Sequence, residues 1–122
     1  MSGINSLFST AFSGLNAAGA IVGTAASNIA NLDSKSYKAA RVNLANASQN
    51  AGVQVASITS DRSAGALGEQ GQELSNVDLP TELVNLRQGE ILYNANAAVV
   101  RVGYELTGTL LDMMESDHRR PA

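Results

Sequence analysis

Stepping along the N-terminal third of the chain by alternating intervals of four and three residues meets Ile4, Phe8, Ala11, Leu15, Ala18, Val22, Ala25, Ile29 and Leu32, all apolar. A 3.5-residue repeat sustained over that distance is the pattern of a helical seam that packs on another helix. The opposite face, through Ser6, Ser9, Ser13, Asn16, Gly23 and Ser27, is small or mildly polar. The spacing predicts a helix over residues 1–34. The C-terminal third repeats the pattern. Leu79, Leu83, Leu86, Glu90, Tyr93, Ala97, Val100, Tyr104, Thr107, Leu111 and Met114 form one line, apolar except at Glu90 and Thr107. A second line runs beside it through Leu92, Ala95, Val99, Val102, Leu106, Leu110 and Met113. One partner helix cannot cover both. A helix is therefore predicted over 78–116, with Asp78 placed to cap it and Pro80 tolerated in its first turn.

Between the helices, residues 35–77 are rich in Gly, Ser, Asn and Gln. Val53 and Val55 alternate before the pattern breaks, which predicts one short strand at 53–59. Gly65, Gly68 and Gly71 mark loops, and residues 117–122 read as a polar tail. The expected fold is one mainly α domain. Its two long terminal helices, roughly 45 and 55 Å at 1.5 Å per residue, pair as an antiparallel coiled-coil hairpin around a loop-rich middle with weak β-structure.

Composition changes this picture in one respect. The chain is 44% hydrophobic, but aromatics make up only 4% and there is no Trp, so much of the apolar content is Ala and the core is expected to be thin. No charged side chain precedes Asp33. An ordinary surface helix carries charges on its wet face; the first helix here suits surroundings of protein on every side. Gly14, Gly19, Gly23, Gly89, Gly103 and Gly108 each cost about 1 kcal/mol relative to Ala in a helix interior. Packing must supply the stability, and the second apolar line says that other subunits provide it. Glu90 on its seam is expected to snorkel or bond a polar neighbour, Arg101 and Glu105 to pair at i,i+4, and Tyr93 and Tyr104 to act as packing anchors.

The same residues exclude several functions. Polar side chains from Ser6 to Asn31 interrupt any run near the 20 apolar residues a membrane span needs. A formal charge of −3 lacks the basic stripe of a nucleic-acid binder. The absence of Cys removes disulfides, thiolate metal sites and cysteine nucleophiles. His118 is the single histidine, lying beside Arg119 and Arg120, and makes neither a metal site nor half of a catalytic pair. The glycines of 65–71 are not followed by the Gly-Lys-Ser/Thr of a phosphate loop, and the serines have no activating partners. Met1 to Asn5 carries no Lys or Arg, so no cleavable signal peptide is expected. The expectation is a structural assembly subunit and not an enzyme, with no cofactor, metal, nucleic acid or small-molecule substrate.

Two ordered motifs sharpen this. Ala26-Ser27-Asn28-Ile29-Ala30-Asn31-Leu32-Asp33-Ser34-Lys35-Ser36-Tyr37-Lys38 resembles the N-terminal signature of the bacterial flagellar rod and hook (axial) proteins, A-N-N-x-A-N-x-x-T-x-G-Y-K. Asn76-Val77-Asp78-Leu79-Pro80-Thr81-Glu82-Leu83-Val84-Asn85-Leu86, followed by Tyr93-Asn94-Ala95-Asn96, is similar to the family's C-terminal motif. Ser27, Ser34 and Ser36 depart from the usual Asn, Thr and Gly, and the last bears on the turn after the first helix. The short middle resembles the proximal rod class. The resemblance implies a subunit of the periplasmic drive shaft of the basal body, exported unfolded by the flagellar type III pathway without a cleaved signal. It implies copies of itself and other rod and hook axial proteins as partners, with MS-ring and export-gate components at the base. Asn28, Ile29, Ala30, Asn31, Tyr37, Lys38, Asn76, Val77, Asp78, Glu82, Asn85, Leu86, Tyr93, Ala95 and Asn96 become the candidate assembly motif. The asparagines either end the helix or shape a subunit contact, and both readings stay open at this point. A second function, a helical adaptor or chaperone-like module of the export system holding an apolar partner helix, fits the same seams.

Overall fold

The computed structural model describes residues 2–119; Met1 and residues 120–122, part of the expected tail, lie outside the described residues. The order is α1 (Ser2–Ala30), β1 (Ala40–Asn46), a 3-10 turn (Ser48–Asn50), β2 (Val53–Ser60) and α2 (Leu79–Arg119). The expected fold, a coiled-coil hairpin around a loop-rich middle, is corrected here. In chain order a two-stranded antiparallel sheet stands between the helices. α2 continues through Arg119, past the end expected at 116.

β1 left little trace in the pattern, because Val42 and Leu44 alternate among Ala and Asn, which are weak strand formers. Its partner supplies what its own residues lack. Val42 faces Ile58, and Leu44 faces Val55, across the ladder. The register slips between Asn43 and Leu44, leaving Ala56 as the extra residue of a bulge on β2. The connection is closed by Ala47 N–H donating to the Gly52 carbonyl at 3.0 Å. Gly52 has φ +112°, and a Cβ there would fall 2.3 Å from Ser13 Oγ. That oxygen accepts the Val53 N–H at 3.1 Å and its hydroxyl donates to the Thr10 carbonyl at 2.6 Å, which pins the hairpin tip to α1.

The helices run antiparallel, with Gly103 against Phe8, Gly14 against Asn96 and Gly89 against Val22. Their contact is not a seam of large knobs. Among the described residues the buried apolar side chains are Ala11, Ala17, Ala18, Ala25 and Ala39. The buried residues of α2 are Glu82, Gly89 and Gly103. The line that α2 presents to α1 thus passes through 82, 89, 96 and 103. It lies one position behind the expected Leu83, Leu86, Glu90, Tyr93, Ala97, Val100, Tyr104, Thr107, Leu111 and Met114 line. Small residues let the backbones approach closely, and the apolar bulk turns outward. Leu83, Tyr93, Tyr104, Leu111 and Met114 are all exposed, while Leu86 and Val100 are half-buried. On α1, Ala11, Ala18 and Ala25 of the expected seam are buried, and Ile4, Phe8, Leu15, Val22, Ile29 and Leu32 are half-buried. Phe8 meets Tyr104 with ring centroids 5.0 Å apart.

Ser36 stands where the resembling family has Gly, and it still adopts φ +60°. The chain makes a left-handed turn after α1 with Ser36, at a cost of about 1–2 kcal/mol for an L side chain. The expected i,i+4 pair of Arg101 and Glu105 is not among the salt bridges of the described residues. Arg87 pairs with Glu90 at 2.9 Å instead, and Glu115 with Arg119. No helix among the described residues is long and apolar enough to cross a membrane.

The helix glycines divide into two kinds, which predicts opposite outcomes for one substitution. A Cβ on Gly108 meets nothing within 4 Å, so Gly108→Ala raises stability by about 1 kcal/mol through helix propensity. A Cβ on Gly89 would lie 2.7 Å from Val22 Cγ2 and 3.3 Å from the Ala18 carbonyl oxygen. Overpacking of about 1–3 kcal/mol then outweighs the propensity gain, and Gly89→Ala is destabilised. Urea unfolding followed by circular dichroism reads both signs.

Candidate functional site

The two motifs at opposite ends of the chain meet in space at the base of the hairpin. α1 ends there and α2 begins there. Asn28, on the last turns of α1, is 0% exposed and Glu82, in the first turn of α2, is 1% exposed. An amide and a carboxylate buried this deeply must have their bonds made for them. Asn28 uses its full capacity of two donors and two acceptors. Its Nδ2 donates to Glu82 Oε2 at 3.0 Å and to the Ala40 carbonyl at 2.9 Å. Its Oδ1 accepts the Ala40 N–H at 2.9 Å and the Tyr37 hydroxyl at 3.0 Å. The amide therefore stands in for a strand neighbour of Ala40 and ties β1 to α1. The second carboxylate oxygen, Glu82 Oε1, accepts from Arg41 Nη1 at 2.5 Å. Arg41 in turn lies 3.9 Å from Asp61.

A second tier of polar contacts holds the 61–78 loop against residues 36–39. Asn76 Oδ1 accepts the Ala39 N–H at 2.7 Å, and its Nδ2 donates to the Asp61 and Ser63 carbonyls at 2.7 and 2.9 Å. Lys38 Nζ donates to the Ser63 carbonyl at 3.0 Å and pairs with Glu73, whose Oε1 also accepts the Gly65 N–H at 3.0 Å. The Ser75 hydroxyl donates to the Leu32 carbonyl. Gly65 is indispensable to this loop, since a Cβ would overlap the Leu74 carbonyl oxygen.

The remaining motif residues take plainer positions. Asn31 donates to the Ser27 carbonyl at 2.9 Å and accepts the Ser34 hydroxyl at 3.0 Å, so it terminates α1. The Asp78 carbonyl receives the Glu82 N–H at 3.0 Å, and its carboxylate accepts the Thr81 hydroxyl at 2.6 Å. Asn85 lines a cavity of about 240 Å³ with Arg41, Val42 and Glu82. Leu86 and Tyr93 line a groove on another flank. Ile29 and Val77 are half-buried, Ala30 and Ala95 exposed. Asn96 folds back on the Leu92 carbonyl at 2.8 Å, beside Gly14.

Arg41, Asp61, Glu73 and Ser75 belong to the site and were not singled out from sequence. The one available signal was that Lys35, Lys38 and Arg41 are the first cations after a charge-free helix, and so need acids from elsewhere in the chain. Among the described residues no buried side-chain polar atom lacks a partner. The two hydroxyl–carboxylate pairs of the region, Ser63 with Asp61 and Thr81 with Asp78, are local contacts two and three residues apart in the chain. The arrangement is a lock between three elements. No family model matches the chain, and no curated protein matches it.

Two outcomes test the lock. Arg41→Met leaves the buried Glu82 carboxylate without its cation and costs about 2–3 kcal/mol, below the range for a fully buried pair because Arg41 is 32% exposed. In the Arg41→Met, Glu82→Met double variant most of that loss returns, and the double-mutant cycle in urea reads the coupling.

The second outcome concerns acid. Hydrogen bonds from the Ser63 hydroxyl and N–H, with Arg41 and Lys38 nearby, hold the Asp61 carboxyl below its ordinary value. The Lys38 ammonium and the Gly65 N–H do the same for Glu73. A carboxyl lowered in the folded state contributes stability above its ordinary range and loses it as pH falls through the lowered value. Protection of the Ser63 and Gly65 amides, taken relative to the intrinsic exchange rate at each pH, is expected to be high at neutral pH and to fall below about pH 4, before the helices melt.

Proposed function

We propose that this chain is a structural subunit of the bacterial flagellar basal-body rod. It polymerises through its terminal helices into the hollow periplasmic shaft that transmits torque, and it works with no catalytic residue, cofactor or small-molecule substrate. The observation that carries this reading is surface. The chain exposes 8322 Å², about 2,100 Å² more than a compact monomer of its mass. That surface includes Leu83, Val84, Ile91, Leu92, Tyr93, Val99, Val102, Tyr104, Leu106, Leu110, Leu111, Met113 and Met114 on one helix. Large exposed apolar side chains in this number on one helix support a protein interface.

The convergence of the two end motifs supports the same reading. Asn28 and Asn76 fix the β-hairpin and the loop onto the helix pair, so each copy presents one shape to its neighbours. A helical lattice requires that repetition. Twisting one helix past another in such a shaft would expose the shared apolar lines to water, which gives the stiffness that torque transmission needs. Rod and hook axial proteins would be its neighbours along the shaft, with MS-ring and export-gate components at the base. Delivery by the type III pathway suits a chain with no disulfides to reduce and a small core to unravel.

The test is association. Concentrated protein is expected to form filaments or short rods by electron microscopy, and a labelled copy expressed in a flagellated bacterium is expected in isolated basal bodies. A discrete soluble dimer at every concentration, absent from basal bodies, would favour an export adaptor instead.

A further inference from the structure

We propose that Met113 and Met114 form a reversible oxidation site, and that their conversion to sulfoxides by peroxide unwinds the free end of α2, residues 108–119, while the rest of the fold stays in place. None of this requires a second copy of the chain.

Composition directs an oxidant to methionine. The chain has no Cys and no Trp, so the thiol and indole that would otherwise compete are missing, and its three methionines are its most readily oxidised groups. Met1 lies outside the described residues. Met113 and Met114 are 62% and 59% exposed, close to the end of α2. The charged neighbours Asp112, Glu115, Asp117 and Arg119, with His118, do not repel a neutral peroxide. The thioether sulfur attacks one peroxide oxygen, the O–O bond breaks, the sulfur is oxidised to the sulfoxide, and the other oxygen leaves as water. Two thiols of a sulfoxide reductase reverse the step: the sulfoxide oxygen departs as water and the thiols become a disulfide.

The helix around these residues has little else to hold it. α1 has 29 residues and α2 has 41. With Phe8 opposite Gly103, the start of α1 lies opposite about residue 109, and the last ten residues of α2 extend about 15 Å beyond it. From Gly108 to Arg119 every residue is exposed. A helical stretch of about a dozen residues without tertiary packing is marginal in water. Gly108 weakens it at its start, with nothing within 4 Å of a Cβ there. The Thr109 and Ser116 hydroxyls donate back to the Glu105 and Met113 carbonyls at 3.0 and 2.9 Å, contacts that loosen a helix slightly. Against this stand the Glu115–Arg119 pair and four strong helix formers, Leu110, Leu111, Met113 and Met114.

Oxidation removes two of those four. A sulfoxide replaces a flexible apolar thioether with a polar, chiral group. Met114 ends one apolar line of α2 and Met113 ends the other, so a pair of sulfoxides polarises both. The unwinding stops at Gly103, which is buried against Phe8 and Leu7. Among the described residues no methionine lies in the α1 contact or at the polar junction.

The test treats the whole chain with hydrogen peroxide and follows the tryptic peptide 102–119, which carries both residues, by mass spectrometry. Both are expected to be oxidised at a rate within about threefold of free methionine. Amide protection over residues 110–118, relative to the intrinsic exchange rate, is then expected to fall by about three- to tenfold, the span of helix propensity over two residues. Protection around Ala18 and Gly89 is expected to stay unchanged. The two epimer-specific methionine sulfoxide reductases, supplied with dithiothreitol, restore the original protection. A Met113→Leu, Met114→Leu double variant keeps the helix formers and shows no response to peroxide. Oxidation more than about tenfold slower than that of free methionine overturns the site. Unchanged protection in the doubly oxidised chain, or an equal response in the double variant, overturns the unwinding. A loss of protection spread over the whole chain overturns its local character, and a failure of the reductases overturns its reversibility.

Discussion

The Glu82 carboxylate lies almost wholly buried where α1, β1 and α2 meet, and its need for partners organises the chain. Placing a carboxylate out of water costs several kcal/mol unless a cation and hydrogen-bond donors compensate it. Arg41 supplies the cation from β1, and Asn28 supplies the donor from α1. Each therefore has a fixed place. Arg41 can reach Glu82 only if β1 begins beside the end of α1, and Asn28 holds it there by bonding both the N–H and the carbonyl of Ala40. The hairpin, the helix end and the helix start are set by one cluster, and the long loop is then fastened to it through Asn76 and Lys38.

A second constraint acts along the helices. Glycine and alanine at the contact line bring the two backbones together, and that choice decides where the larger side chains go. A seam of Leu and Tyr would have spaced the helices apart and hidden the apolar surface within one chain. The seam of Ala11, Ala18, Ala25, Gly89 and Gly103 hides little and leaves leucines, tyrosines and methionines outside. The interior of the chain is thin and the larger apolar side chains of α2 lie on its surface, where under the proposed function they would meet neighbours. Under the proposed function the same logic would account for a first helix without charge: small neutral side chains can be covered by a neighbouring protein at little desolvation cost.

The polar junction and the apolar exterior divide the work. The junction fixes the shape of a copy, using interactions that are directional and saturated. The exterior is non-directional, and in the proposed assembly it would provide the energy of association. A lattice subunit needs both, because adhesive surface without a fixed shape gives aggregates and a fixed shape without adhesive surface gives a monomer.

The sequence alone determined the two helices and their approximate extents, since apolar periodicity over several heptads is a local property. It also determined that the nonpolar stripes exceed what one hairpin can cover, and it marked Asn28, Tyr37, Asn76 and Glu82 as members of ordered motifs. It could not determine that these four residues belong to one place. Residues 28 and 82 are joined only by the fold, and Arg41 and Glu73 take their meaning from partners dozens of positions away. Nor could it reveal β1, whose Ala and Asn carry no strand signal until β2 lies alongside, or the one-position shift of the α2 contact line. Periodicity ranks positions by hydrophobicity, whereas close packing selects them by size. In this chain the smallest residues took the interface, and only the tertiary structure could decide that.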